Sequence, residues 1–251
     1  LVIDFKIHNN LIVASHITGI YDVNRNTTLA NDDFSMVADW AKSIEALQLQ
    51  GIIFHNNFSE ETCKMHQSDH IYFVKIDYNA MCNPNVFRYF VYEAFLKSYA
   101  HLIHNIFFTD ISDVVVFKNP FQEKIFLDNP THIFCGDERE ILDNEWMQNH
   151  SNHLRSKIPD YALYETNFKN ETLLNCGIIG GNISIMHPFI DQLKTIHQEY
   201  NLDNKTSYTG DMGAFNYLAR SRYHHKIIHG NPVNTEFKSY SNDSNCWFKH
   251  K

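Results

Sequence analysis

The 251-residue chain has no block of basic residues: 21 Lys and Arg stand against 29 Asp and Glu, a formal net charge of −8. A groove for a polyanionic nucleic acid needs clustered cationic side chains, so this balance argues against a nucleic-acid partner. A phosphate-bearing ligand stays open, because one metal ion and one or two basic side chains suffice to neutralise a diphosphate. No apolar run reaches the ~20 residues that cross a bilayer, and no secretory leader is visible. The five cysteines are odd in number and form no C-x-x-C pair, which fits packed or free thiols better than a disulfide framework. G-x-G-x-x-G and Walker A patterns are absent, and with them the support for a dinucleotide oxidoreductase or a P-loop NTPase. Sixteen histidines include His101-x-x-His104, His150-x-x-His153 and His224-His225 but no H-E-x-x-H, so a histidine-based zinc hydrolase has little support. No repeat, low-complexity tract or linker interrupts the chain.

What is present is enough for a sizeable core: 43% of residues are hydrophobic and 14% aromatic, and the length suits one large domain. N-x-S/T triplets stand at Asn26, Asn57, Asn149, Asn170, Asn182, Asn204 and Asn242 in a chain rich in Asn. Asn182 lies in an apolar stretch and makes a poor glycan site. The expected location is cytoplasmic, or a Golgi or secretory lumen if an N-terminal anchor precedes this sequence.

Hydrophobic spacing gives alternating strands and helices over the first ~130 residues. Leu11–Ala14 reads as a strand. Asn31 or Asp32 then caps a helix with apolar positions Phe34, Val37, Ala38, Ala41, Ile44 and Leu47. Gly51–Phe54 is a buried strand, Ser59-Glu-Glu opens a brief helix, and Ile71–Ile76 is a third strand. Asn83-Pro84 starts a long helix, Asn as N-cap and Pro at the first helical position, with a stripe of Phe87, Phe90, Val91, Ala94 and Phe95. The strand ending at Asp110 follows. The pattern predicts an α/β fold with a mostly parallel sheet and helices on its faces. Residues 138–172 are polar and show no clean strand. Leu173–Met186 is apolar with a Gly-rich centre, helical patterns follow near 188–200 and 209–220, and Lys226–Ile228 is a short strand.

The most informative stretch is 106–120. An apolar strand runs into Asp110 and Asp113, and a second apolar run, Val114–Phe117, follows at once. Two carboxylates at the end of a buried strand are costly without compensation. Either they cap turns, or a hard divalent cation such as Mn²⁺ or Mg²⁺ balances them and leaves open positions for substrate phosphates. The loop after the first strand (His16, Thr18, Gly19, Asp22, Arg25) lies where open α/β sheets bind ligands. Arg88 lies off the apolar stripe of its helix, either solvated or gripping a diphosphate or base edge. Asn175, Gly177, Gly180 and Gly181 mark a bulge, a close strand crossing, or a place where a sugar ring approaches the backbone.

In ordered combination these segments resemble the metal-dependent GT-A fold glycosyltransferases. Phe108-Thr-Asp-Ile-Ser-Asp-Val-Val-Val-Phe117 with Asn119-Pro-Phe121 is similar to the family's acidic metal motif and its following turn. Asn175-Cys-Gly-Ile-Ile-Gly-Gly181 resembles the N-x-G sugar-pocket segment, and Gly210-Asp-Met-Gly-Ala-Phe-Asn-Tyr-Leu218 the D-Q-x-x-F-N helix start. His229-Gly-Asn-Pro-Val-Asn-Thr-Glu-Phe237 stands where such enzymes end their catalytic core. The likeness spans about residues 10–240. It implies one GT-A domain over 1–251, with a nucleotide-binding half over about 1–120 and a sugar and acceptor half over about 121–251. It also implies a hexosyl- or pentosyltransferase that moves a sugar from a nucleotide donor, UDP favoured, to a glycan or glycoconjugate hydroxyl.

By this resemblance Asp113 is the main metal ligand and His229 a third. Asp110 contacts the ribose or, through water, the metal. His16, Thr18, Asp22, Arg25 and Arg88 hold the nucleotide, and Asn175, Gly177 and Gly181 shape the sugar pocket. Asp211 takes the acceptor proton in an inverting enzyme or orients the donor sugar in a retaining one; its plainer reading is a helix cap. The spacing departs from D-x-D by one residue. An ideal strand would point Asp110 and Asp113 to opposite faces, so a turn or bulge at Ile111-Ser112 must reunite them. Two other readings are a catalytically silent carbohydrate-binding module on the same scaffold and a sugar-1-phosphate nucleotidyltransferase. The Gly-rich N-terminal signature of the last is absent.

Overall fold

A computed structural model describes residues 1–22, 26–78, 82–202 and 210–251. Strand β1 (Asn10–His16) leads to a hairpin of β2 (Tyr21–Asp22) and β3 (Thr27–Thr28), then α1 (Ala38–Ala46), β4 (Gln50–His55), α2 (Glu60–His66) and β5 (Ile71–Lys75). Helix α3 (Pro84–Tyr99) precedes β6 (Asn105–Thr109), β7 (Val114–Val116) and α4 (Lys124–Asp128). The second half holds β8 (Ile133–Ile141), α5 (Glu145–Arg155), α6 (Tyr161–Phe168), β9 (Thr172–Asn182), α7 (Ile183–Tyr200), α8 (Asp211–Tyr223), β10 (Ile227–His229) and β11 (Phe248–His250). No helix among the described residues is long and apolar enough to cross a membrane.

Caps set several helix starts. Asn83 accepts from the Asn85 amide with Pro84 at the first helical position, and Ser59 accepts from the Thr62 amide. The cap expected at Asn31 or Asp32 is Asp33, which accepts from Ser35 and starts a short 3₁₀ turn over Phe34–Met36 before α1. Asp32 instead accepts from the Ser59 amide, 2.7 Å away, and so ties this loop to α2.

Seven strands form the main sheet in the order β10-β8-β9-β6-β1-β4-β5, with β9 antiparallel to both neighbours and the other paired strands parallel. The expected α/β architecture with a mostly parallel sheet is therefore present. Parallel pairing brings the carboxyl ends of β1, β4 and β6 to one edge, where Ala14 is opposite Thr109 and His16 opposite His55. β9 pairs with β6 only from Ile178 onward, so Asn175–Gly177 project past the end of β6 at that same edge.

The polar stretch 138–172 is more regular than its pattern suggested. The strand β8 runs on through exposed charged residues to Ile141, broken by register shifts after Cys135 and Asp137, and α5 and α6 follow. Its outer half pairs only with β9, so no second covered face imposes an apolar alternation.

Each sheet face carries its own core. One packs Tyr92, Phe95, Phe189 and Phe215 beneath α3, α7 and α8. The other packs Trp40 of α1 with Phe107, Phe121, Phe126, Trp247 and Phe248. Burying each such side chain contributes about 1.5–3 kcal/mol. Trp40 keeps its indole N–H satisfied by donating to Thr109 Oγ1 at 2.8 Å. Gly180 is the cross-strand partner of Phe107, and a Cβ there would fall within the Phe107 ring. That ring is wedged among Phe121, Phe126, Trp247 and Phe248 and has nowhere to swing. Gly180→Ala should therefore lower the unfolding free energy by about 1–3 kcal/mol. The readout is a lower urea midpoint at unchanged slope.

Candidate active site

Strand β6 stops at Thr109, and residues 110–113 bend before β7 begins. Ile111 turns into the core, 6% exposed, and the aspartates on either side of it emerge together. This is the turn that the longer D-x-x-D spacing requires. Ligand atoms of Asp110, Asp113 and His250 all lie within 4.8 Å of one another. His250 arrives through β11, whose antiparallel register sets it opposite Val114, and the Lys251 amide donates to the Asp113 carbonyl at 2.8 Å. His250 Nε2 is 3.9 Å from Asp110 Oδ2.

The group fits a divalent cation. Burial pushes the His250 pKa down to about 4, so the ring is neutral at pH 7 with a lone pair to offer. Its Nδ1 is buried with no hydrogen-bond partner among the described residues. The space between the donors is kept open by Gly177, where a Cβ would lie 2.6 Å from both Asp110 Oδ2 and His250 Cε1. Two carboxylates with one imidazole suit Mn²⁺ as well as Mg²⁺.

Arg88 crosses behind this group. The helix α3 buries a wider arc than its apolar stripe, including Tyr89 and Tyr92, and Arg88 is only 7% exposed. Its Nη1 bonds Asp110 Oδ1, and its Nη2 reaches Tyr89 Oη at 3.3 Å, Cys176 Sγ at 3.3 Å and Asp211 Oδ2 at 3.6 Å. Asp211 is the first residue of α8. The cap position belongs to Gly210, whose φ of +74° favours glycine, so Asp211 is not a cap and its carboxylate faces Arg88 instead. The Cys176 thiol lies 3.7 Å from Asp211 Oδ2, and burial raises its pKa well above the ordinary thiol value: it is a packed thiol, not a thiolate.

The Asn175–Gly177 segment is tied to both sides of the site. Asn175 Oδ1 accepts from the Gly177 amide at 2.7 Å, which leaves its Nδ2 to donate to Glu138 Oε1 at 2.8 Å. The Gly177 carbonyl accepts from the Asp110 amide at 2.7 Å. Burial raises the Glu138 pKa. Neither Glu138 nor His250 was visible as a site residue in the sequence. The first lies in the stretch that read as irregular, and the second beyond the last recognisable motif.

Other residues singled out in the sequence fall elsewhere. His16 closes β1 with its ring stacked on Phe58, and the Thr18 amide donates to Asn56 Oδ1 at 2.9 Å on the ligand edge. Asp22 lies in the β2–β3 hairpin, and Arg25 lies outside the described residues. Gly181 is not at this edge: it pairs with Ile106 near the start of β6, and its missing side chain admits the His132 carbonyl, 2.7 Å from where a Cβ would sit. His229 is not in the Asp110 group either. It closes β10, and its Nδ1 sits 2.9 Å from Asp137 Oδ2. The third candidate ligand is His250, because β11 rather than β10 pairs with β7, beside Asp110 and Asp113.

Two buried histidines nearby stay neutral. Burial, with Lys75 adding to it, lowers the His55 pKa to about 4, and burial lowers that of His197 to about 3. Both rings charge near pH 6.5 when the chain unfolds. The unfolded state then binds more protons, so stability falls as pH drops from about 6.5 towards 4. Urea midpoints should decrease steadily between pH 7 and pH 5.

No protein-family model and no curated protein sequence matches the chain. Solved structures do. One is the galactosyltransferase LgtC in complex with donor and acceptor sugar analogues, which aligns over 96% of this chain and 86% of that one at 14% identity with a TM-score of 0.50. An active-site mutant of LgtC aligns over the same shares at 14% identity with a TM-score of 0.52. With the sheet order and the ligand edge described above, this likeness shows that the chain has the GT-A glycosyltransferase fold.

Proposed function

We propose that the protein transfers a sugar, hexosyl or pentosyl, from a nucleotide-diphosphate donor to a hydroxyl of a glycan or glycoconjugate acceptor. UDP is the favoured nucleotide, and Mn²⁺ or Mg²⁺ the cofactor. The observation that carries this reading is the convergence of Asp110, Asp113 and His250 at the carboxyl edge of the sheet. Arg88 links that group to Asp211. Arg88 pairs with Asp110 and Asp211, and Asp113 adds a third carboxylate beside Asp110, so the cluster has an excess of negative charge that a divalent cation would offset.

Asp110, Asp113 and His250 would hold the cation, which when bound supplies Lewis-acid stabilisation of the leaving nucleoside diphosphate. The chain's own groups do the rest. Arg88 fixes the Asp110 carboxylate and adds positive charge beside the diphosphate. Gly177 keeps the space between Asp110 and His250 clear, and Glu138 holds the Asn175 amide in one orientation. The Asp211 carboxylate is held beside this group by Arg88. There it receives the acceptor proton if the anomeric configuration inverts, or fixes the donor sugar if it is retained. The loop of His16, Thr18 and Asp22 lies on the ligand edge and would meet the nucleotide.

A donor-hydrolysis screen over UDP- and GDP-sugars with Mn²⁺ tests the reading. Turnover of a UDP-sugar that EDTA abolishes is expected, and Asp113→Ala should reduce it by about 10²–10³-fold in a folded protein. Full turnover by that variant would end the metal-site reading. A second expectation separates the two histidines. His250→Ala should weaken Mn²⁺ binding, measured by calorimetry with UDP present, by about tenfold or more. His229→Ala should leave it unchanged.

A further inference from the structure

Behind Asp211 lies a set of buried polar side chains that the reaction has not yet used. The end of α5, the end of α7 and the start of α8 meet there. His197, in the last turn of α7, is fully buried, and its ring stacks on Tyr89 at 5.2 Å with planes 15° apart. Tyr89 is the same ring whose hydroxyl accepts from Arg88. Asn201 Nδ2 lies 3.0 Å from His197 Nδ1, and Asn201 Oδ1 meets His153 Nε2. Asn201 thus bridges the two rings, its amide donating to one histidine and accepting from the other.

Gly210 rests directly on His153 and Asn201, which His197 in turn braces. A Cβ there would lie 2.5 Å from His153 Cε1 and 2.9 Å from Asn201 Oδ1. The positive φ of Gly210 sets the direction in which α8 starts, and Asp211 is the next residue. The contacts therefore close a ring: Arg88, Tyr89, His197, Asn201, His153, Gly210, Asp211, and back to Arg88. His197 Nε2 has no hydrogen-bond partner among the described residues.

We propose that His153, Asn201 and His197 are positioning residues for the transfer reaction, fixing the Gly210 turn and thereby the place of the Asp211 carboxylate. The proposal rests on the transferase reading. Its physical basis is direction. Apolar side chains would fill the same volume, but hydrogen bonds in a low-dielectric interior hold one geometry. A reacting group displaced by about 1 Å can lose about 100-fold in rate. None of the three is among the residues assigned above to the cation, nucleotide or sugar, so their loss should lower kcat and leave donor binding unchanged.

The test uses the full chain with Mn²⁺ and the UDP-sugar that the wild type turns over. His197→Phe keeps a ring against Tyr89 and removes the hydrogen bond, His197→Gln restores an acceptor, and Asn201→Ala removes the link. Expected are a fall in kcat of about 10–100-fold for His197→Phe and Asn201→Ala at unchanged donor KM. The urea midpoint of His197→Phe should stay near wild type, and His197→Gln should recover part of the rate. Unchanged kcat in both damaging variants overturns the proposal, as does a loss seen only in KM or one that follows the unfolded fraction. A second measurement needs no turnover: nitrogen-15 spectra of the imidazoles in wild type and Asp211→Asn. His197 should show a neutral ring in one tautomer, with signals that shift in the variant. Identical spectra overturn the proposal even if the enzyme is active. Absent donor turnover by wild type with the expected spectra overturns the transferase reading and keeps the link between the trio and Asp211.

Discussion

The buried guanidinium of Arg88 is the interaction on which the site depends. It stands between Asp110 after β6 and Asp211 on α8, two carboxylates that reach it from different ends of the fold. A charge so deeply buried is stable only when paired and hydrogen-bonded. Removing a partner from such a group costs about 3–5 kcal/mol, because the remaining charges are left without compensation. An arginine suits the place better than a lysine, since its planar fork serves several acceptors at once and its charge persists at any physiological pH. The pairing still leaves the carboxylates in excess. On the proposed reading, that residual negative charge is what a divalent cation, and through it a diphosphate, would complement.

The fold supplies the geometry through strand register. Parallel pairing gathers the ends of β1, β4 and β6 at one edge, and the antiparallel β9 carries Asn175–Gly177 just beyond them. The β7–β11 pair then returns His250 to the Asp110–Asp113 turn. Glycine serves two distinct needs in β9. Gly180 clears space for the Phe107 ring in the core, whereas Gly177 clears it between Asp110 and His250.

Much of this was legible in the sequence, for physical reasons. Strands β1, β4 and β6 are buried on both faces and read as apolar runs, and the helices between them carry clear caps at Ser59 and Asn83. The pair Asp110 and Asp113 was conspicuous because carboxylates at the end of an apolar strand need an explanation. The helix start at Asp211 was also visible, though Gly210 rather than Asp211 holds the cap position. Arg88 was misplaced relative to the core because α3 buries tyrosines and an arginine along with its apolar stripe, so hydrophobicity alone underestimates the buried arc. His250 was missed because β11 is three residues long and pairs with a segment more than a hundred residues earlier. His229, at the end of a recognisable strand, had the more conspicuous local pattern but faces Asp137. Long-range pairing of short strands leaves no local signal.

The central claim is that this charge cluster binds a nucleoside diphosphate through a divalent cation. The most direct measurement is a calorimetric titration of UDP into the wild-type protein, once with Mn²⁺ and once with EDTA. The account predicts saturable binding with Mn²⁺ that is lost or weakened by at least about tenfold in EDTA. Equal UDP affinity in the two buffers, or no binding in either, would contradict it.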